Sequence, residues 1–157
     1  MERISVGSPA PDFSLSDQAG VLRSLSDFLG QWVIVYFYPK DNTPGCTKET
    51  CSIRNQFPQF VNRSVAVLGI SPDSVQSHKK FAEKYMLPFP LLSDPGARIS
   101  RQFGAWGKKR AGGRTVEGIL RASFLIDPKG RIAKRYDDVS PDVHGEELLS
   151  DLLVFQS

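Results

Sequence analysis

The segment YFYPKDNTPGCTKETC, residues 36–51, joins the end of an apolar strand to the start of a helix, and the rest of the chain is read outward from it. The strand breaks at Pro39. Thr43 and Pro44 restart the chain as a helix, because threonine suits the N-cap and proline suits the first helical position, whose N–H has no intrahelical partner anyway. Gly45 is then second and Cys46 third. A sulfur there lies beside unpaired backbone N–H groups at the positive end of the helix dipole, a setting that favours thiolate over thiol. Cys51, the second of the chain's two cysteines, follows five residues later.

Upstream, residues 32–38 are all apolar or aromatic. A strand with no polar face is buried on both sides, as in the centre of an α/β sheet. Downstream, Ile53, Phe57, Phe60 and Val61 recur at helical spacing, and Pro58 within that pattern is expected to kink or end the helix. Residues 65–70 form a second apolar strand. Asp73 or Ser74 caps a helix through Tyr85, with Val75, Phe81 and Ala82 inward. Residues 89–92 read as a short strand, and Asp94-Pro95-Gly96 turns into a helix ending near Phe103 and Gly104. Residues 118–127 and 131–136 pair as a hairpin about Asp127-Pro128-Lys129-Gly130. Residues 142–155 make a last helix striped by Leu148, Leu149, Leu152 and Phe155. Near the N-terminus, residues 10–15 and Val21-Leu22 read as a hairpin. A short helical turn around Asp27, capped by Ser24 or Ser26 and closed by Gly30, follows it. This order predicts an α/β thioredoxin-like fold, a central mixed sheet flanked by helices with an N-terminal hairpin extension.

Composition narrows the function classes. A chain of 157 residues is read as a single domain, residues 1–157, long enough to bury a core. Net charge is +3, and the densest basic patch is Lys108, Lys109, Arg110 and Arg114 among Gly107, Gly112 and Gly113. It reads as a solvated, mobile loop, not a nucleic-acid site, and no helix-turn-helix, zinc-finger or Walker pattern occurs. Residues 1–10 carry charges and Pro9 without an apolar core, so no secretory signal is expected and the cytoplasm is the default location. No apolar run approaches the length of a membrane span. His78 and His144 are scattered and there is no C-x-x-C, so no metal is expected; both histidines read as surface or helix-end residues.

The cysteines set the chemistry. An unperturbed cysteine is about 3% thiolate at pH 7, and lowering its pKa to ~6 raises that to ~90% for roughly 3 kcal/mol of electrostatic help. The gain in rate is only about thirtyfold, less once the weaker nucleophilicity of a low-pKa thiolate is counted. Fast chemistry therefore needs donors aimed at the charge that develops on the group under attack. Thr43 can place a hydroxyl there, and arginine would be the natural second donor. Cys46 and Cys51 cannot bond while both are helical. Five residues rise ~7.5 Å and turn ~140°, which puts the Cα atoms roughly 8–9 Å apart, whereas a disulfide tolerates at most about 6.8 Å. Either the pair never bonds, as two unrelated thiols, or the turn between them unwinds.

The pattern P-x-x-x-T-x-x-C at Pro39, Thr43 and Cys46 resembles the active-site signature of the peroxiredoxins. The longer string FYPKDNTPGCTKETC is similar to the bacterioferritin comigratory protein, or peroxiredoxin Q, branch. Further likeness lies in APDFSL (residues 10–15), VLGIS (67–71), FAEKY (81–85), PLLSD (90–94) and RASFLID (121–127). The resemblance implies thiol-dependent reduction of hydrogen peroxide and organic hydroperoxides. Cys46 would be the peroxidatic cysteine, Thr43 would hydrogen-bond the peroxide, and Arg121, as the family's strand arginine, would hold the thiolate and polarise the O–O bond. Pro39 would shield the pocket and Glu49 would orient the arginine. Cys51 would resolve the sulfenic acid as an intramolecular disulfide, recycled by thioredoxin or a similar dithiol. No cofactor is implied, and a monomer is expected. Two other readings stand beside this one: a one-cysteine peroxidase recycled by an external thiol, and a redox-switch interaction protein.

Overall fold

The computed structural model describes residues 4–157, so the part of the N-terminal reading that falls on residues 1–3 lies outside them. Its centre is Trp32–Phe37 (β3), the strand read as buried on both sides. Numbering in chain order, Ser14–Ser16 (β1) and Leu22–Ser24 (β2) form the expected N-terminal hairpin. A 3-10 turn, Leu25–Phe28, follows, with the Asp27 carboxylate accepting from the Ser24 N–H at 3.0 Å.

After β3 come Pro44–Asn62 (α1), Val65–Ser71 (β4), Val75–Tyr85 (α2) and Leu91–Ser93 (β5). Both crossovers are parallel, β3 to β4 and β4 to β5. The chain then runs through Arg98–Gln102 (α3), Trp106–Ala111 (β6), Arg114–Ile119 (β7), Ala122–Ile126 (β8), Ile132–Tyr136 (β9) and His144–Phe155 (α4). The main sheet has the order β5-β4-β3-β8-β9, with β8 antiparallel to both β3 and β9. It is the mixed, helix-flanked, thioredoxin-like sheet expected.

Period-2 alternation along β3 sorts its side chains between two cores. Val33, Val35 and Phe37 join Phe13, Leu15, Ile99 and Phe103 on one face. Ile34 and Tyr36 join Ile53 and Phe60 of α1, Phe81 of α2, and Leu148 and Leu152 of α4 on the other. The helix carrying both cysteines is thus packed on the sheet beside α2 and α4.

Four expectations need correction. The basic "loop" is a hairpin: β6 and β7 pair antiparallel with Gly112 and Gly113 as a two-residue turn, both at positive φ (60° and 77°). Paired glycines suit that turn, but the exposed polar residues flanking them concealed the alternation. The strand expected over residues 118–127 is interrupted. β7 ends at Ile119, the Leu120 N–H donates to the Ala105 carbonyl at 3.0 Å, and β8 begins at Ala122, which leaves Arg121 in the gap. Pro58 does not end α1, which continues to Asn62 because Ile53 and Phe60 hold it on the sheet, although Val61 is 55% exposed. His78 is a fully buried position of α2, not a surface residue.

Candidate active site

The start of α1 is built as its residue types require. Thr43 takes the N-cap position with extended backbone (φ −91°, ψ 155°), Pro44 opens the helix and Cys46 is its third residue. The Thr43 hydroxyl does not cap. It donates to the Lys40 carbonyl at 3.0 Å, leaving its lone pairs as acceptors. Pro39 sits half-buried just beyond β3.

The gap between β7 and β8 points Arg121 at this helix. Its Nη1 and Nη2 atoms each lie 3.5 Å from Cys46 Sγ, and Nη1 also donates to Glu49 Oε1 at 2.8 Å. Cys46 is 1% exposed and Glu49 wholly buried, one turn apart on the same helix face. Burial works against the Arg121 charge, yet the neighbouring Glu49 and Cys46 hold its pKa above the ordinary arginine value. For Glu49 burial prevails: the carboxyl is pushed up to about 7 despite the pull of Arg121. Its second oxygen, Oε2, is buried without a hydrogen-bond partner among the described residues. The arginine is therefore shared between a sulfur and a reluctant carboxylate.

Gly45 was not singled out by sequence. A Cβ there would sit 3.1 Å from Arg121 Nη2, so the missing side chain makes room for the guanidinium. A glycine within the first turn of a helix, where it weakens helix propensity, was the available signal. Cys51 lies half-buried on the same unbroken helix, and both cysteines are free thiols. Between them Thr50 is tied to the sheet through its hydroxyl, 3.1 Å from the buried Tyr36 hydroxyl.

The loop ahead of α1 is held by a network that sequence reading missed. Asp41 accepts from the Tyr38 hydroxyl at 2.6 Å and the Ser77 hydroxyl at 2.7 Å, and its Oδ2 lies 2.7 Å from His78 Nδ1. The Asp41 N–H donates to Asp73 Oδ2 at 2.8 Å. His78 Nε2 faces the Leu92 carbonyl at 3.0 Å, so that nitrogen carries the hydrogen. Asp41, Asp73 and His78 lie close enough to hold a cation, but these hydrogen bonds already engage their ligand atoms.

On the far side of α1, the Gly145 N–H donates to Ser52 Oγ at 2.8 Å. The neighbouring His144 places Nε2 2.7 Å from Ser123 Oγ and Nδ1 2.8 Å from Glu147. It is the first residue of α4, the helix end expected, but it is buried.

A thiol held by an arginine at a helix N-terminus, on a thioredoxin-like sheet, defines a thiol-dependent peroxidase. Comparison with known proteins agrees. The AhpC/TSA family model matches residues 6–135, and the chain belongs to that family. It is 45% identical to peroxiredoxin Bcp of Escherichia coli over 96% of both chains, and 41% identical to peroxiredoxin Bcp of Bacillus subtilis over 95% of both. Among solved structures, a cysteine-to-serine variant of PrxQ from Xylella fastidiosa superposes with a TM-score of 0.93 at 35% identity over 100% of both chains. The bacterioferritin comigratory protein of Xanthomonas campestris, studied for alkyl peroxide reduction, gives 0.89 at 33% identity over 98% of both.

Proposed function

We propose that the chain reduces hydrogen peroxide and organic hydroperoxides with Cys46 as the attacking sulfur and Cys51 as the resolving one. The observation that carries this reading is the contact of both Arg121 terminal nitrogens with Cys46 Sγ. The Cys46 thiolate attacks the terminal peroxide oxygen; an S–O bond forms, the O–O bond breaks, and the departing alkoxide or hydroxide takes a proton from solvent. The fork of Arg121 faces the charge on both sides of that transfer, which is where a fixed donor contributes most. The Thr43 hydroxyl accepts the peroxide hydrogen and Pro39 keeps water from the sulfur. The Cys51 thiol then displaces water from the Cys46 sulfenic acid, giving a disulfide. Thioredoxin or a similar dithiol reduces it, and the enzyme works as a cytoplasmic monomer.

Steady-state turnover with thioredoxin and its reductase, over hydrogen peroxide and organic hydroperoxides, tests the reading. Cys46→Ser should abolish turnover. Cys51→Ser should allow one oxidation and then leave Cys46 open to overoxidation. Full turnover by Cys51→Ser would remove Cys51 from the cycle and leave a one-cysteine peroxidase. Mass spectrometry after one equivalent of peroxide separates the two, as a loss of two hydrogens linking Cys46 to Cys51 against a mixed disulfide on Cys46.

A further inference from the structure

Glu49 lies between the two cysteines, on the helical turn that holds them too far apart to bond. Its side chain is 0% exposed; Oε1 is engaged by Arg121, and Oε2 is buried with no hydrogen-bond partner among the described residues. A carboxylate kept dry and half-satisfied costs free energy that water would return. The groups facing it are Arg121 from the β7–β8 gap, Cys46 on its own helix and the Tyr36 hydroxyl from β3. Burial, together with the charge of the same arginine, holds His144 of α4 below the usual histidine range. With the sulfur ionised, one guanidinium answers two anions.

We propose that Glu49 is a positioning residue that couples proton release to the resolving step. Unwinding the turn for the Cys46–Cys51 disulfide carries its carboxyl from the dry site into water, where it gives up a proton. The inference rests on the disulfide reading above. The step balances: the Cys46 sulfenic acid and the Cys51 thiol yield the disulfide and one water, and Glu49 passes one proton to solvent. While the helix is closed the carboxyl titrates at about 7, against 4.5 for a free one. Below the lower value it is protonated in both forms and exerts no bias. Between the two, rising pH favours the unwound, oxidised form; above the higher value the bias is constant.

The test equilibrates the whole chain with dithiol–disulfide buffers from pH 5 to pH 8, traps free thiols by alkylation and reads the oxidised fraction by mass. Wild type is compared with Glu49→Gln, and the Cys46 thiolate absorbance is titrated in both so that its own contribution is subtracted. The ratio of the two oxidation constants should rise roughly 70-fold over that range and level off towards pH 8. A ratio that stays flat overturns the inference. Failure of the wild type to form the disulfide at any pH overturns instead the pairing it rests on, whereas failure of Glu49→Gln alone overturns the inference. Thr50→Val loosens the same turn by removing the Tyr36 bond, without removing a titrating group. It should shift the constant yet keep the wild-type pH slope. A slope lowered to that of Glu49→Gln would show that loosening alone suffices, and the inference would fall.

Discussion

Gly45 carries no side chain where one would press on Arg121, and the absence matters more to chemistry than to stability. Alanine at that position improves helix propensity by up to about 1 kcal/mol, while its Cβ, 3.1 Å from Nη2, displaces the guanidinium by a few tenths of an ångström. Gly45→Ala should therefore keep or raise the melting temperature and slow peroxide attack several-fold, read by stopped-flow oxidation of Cys46. Glu49 makes the opposite exchange, a stability cost accepted at the site. Its folded pKa, about 7, lies above its unfolded value of 4.5, so the stability it permits is whole below 4.5 and is lost as pH rises through 7. Relative to Glu49→Gln, the reduced wild type should lose about 2–3 kcal/mol between pH 5 and pH 8, measured by urea unfolding.

Helix α1 is held ahead of its first residue and at its midpoint by contacts outside its own hydrogen bonds. Upstream, the Asp41 carboxylate gathers Tyr38, Ser77 and His78 and pins the loop that carries Thr43. Downstream, α4 meets α1 at Gly145, where a Cβ would lie 2.1 Å from the Ser52 carbonyl oxygen. That neighbour is backbone in a helix and cannot swing aside. Gly145→Ala should push α4 off α1 and cost about 1–3 kcal/mol, seen as a lower denaturant midpoint with an unchanged slope. The stretch between these anchors contains both cysteines and Glu49, so in the proposed resolving step the anchors would confine unwinding to that turn. Pro58 lies beyond it in a helix that packing keeps continuous.

Both cores are layered on one five-stranded sheet, and β3 contributes to each. We propose that residues 1–157 unfold as one unit; fluorescence and circular dichroism in denaturant should give coincident transitions, and separated ones would mean two units. Most of this plan is legible in the sequence. The apolar β3, the Thr43-Pro44 helix start and the Asp127–Gly130 turn are local signals, written in residue types a few positions apart. The basic hairpin was missed because its strands are exposed and polar, so only the paired glycines marked it. The site divides the same way. The sequence by itself determined that a cysteine would stand third in a helix behind a threonine and a proline, with a second cysteine five residues on. The family resemblance named Arg121 and Glu49, but only the tertiary structure decided that both guanidinium nitrogens reach that sulfur and that the buried Glu49 carboxyl competes for them. It also decided that Asp41 and His78 meet under the loop, and that α4 closes on Ser52. Those pairs lie 37 to 93 residues apart in sequence, and no local propensity specifies a contact made only when distant segments pack on the two faces of one sheet.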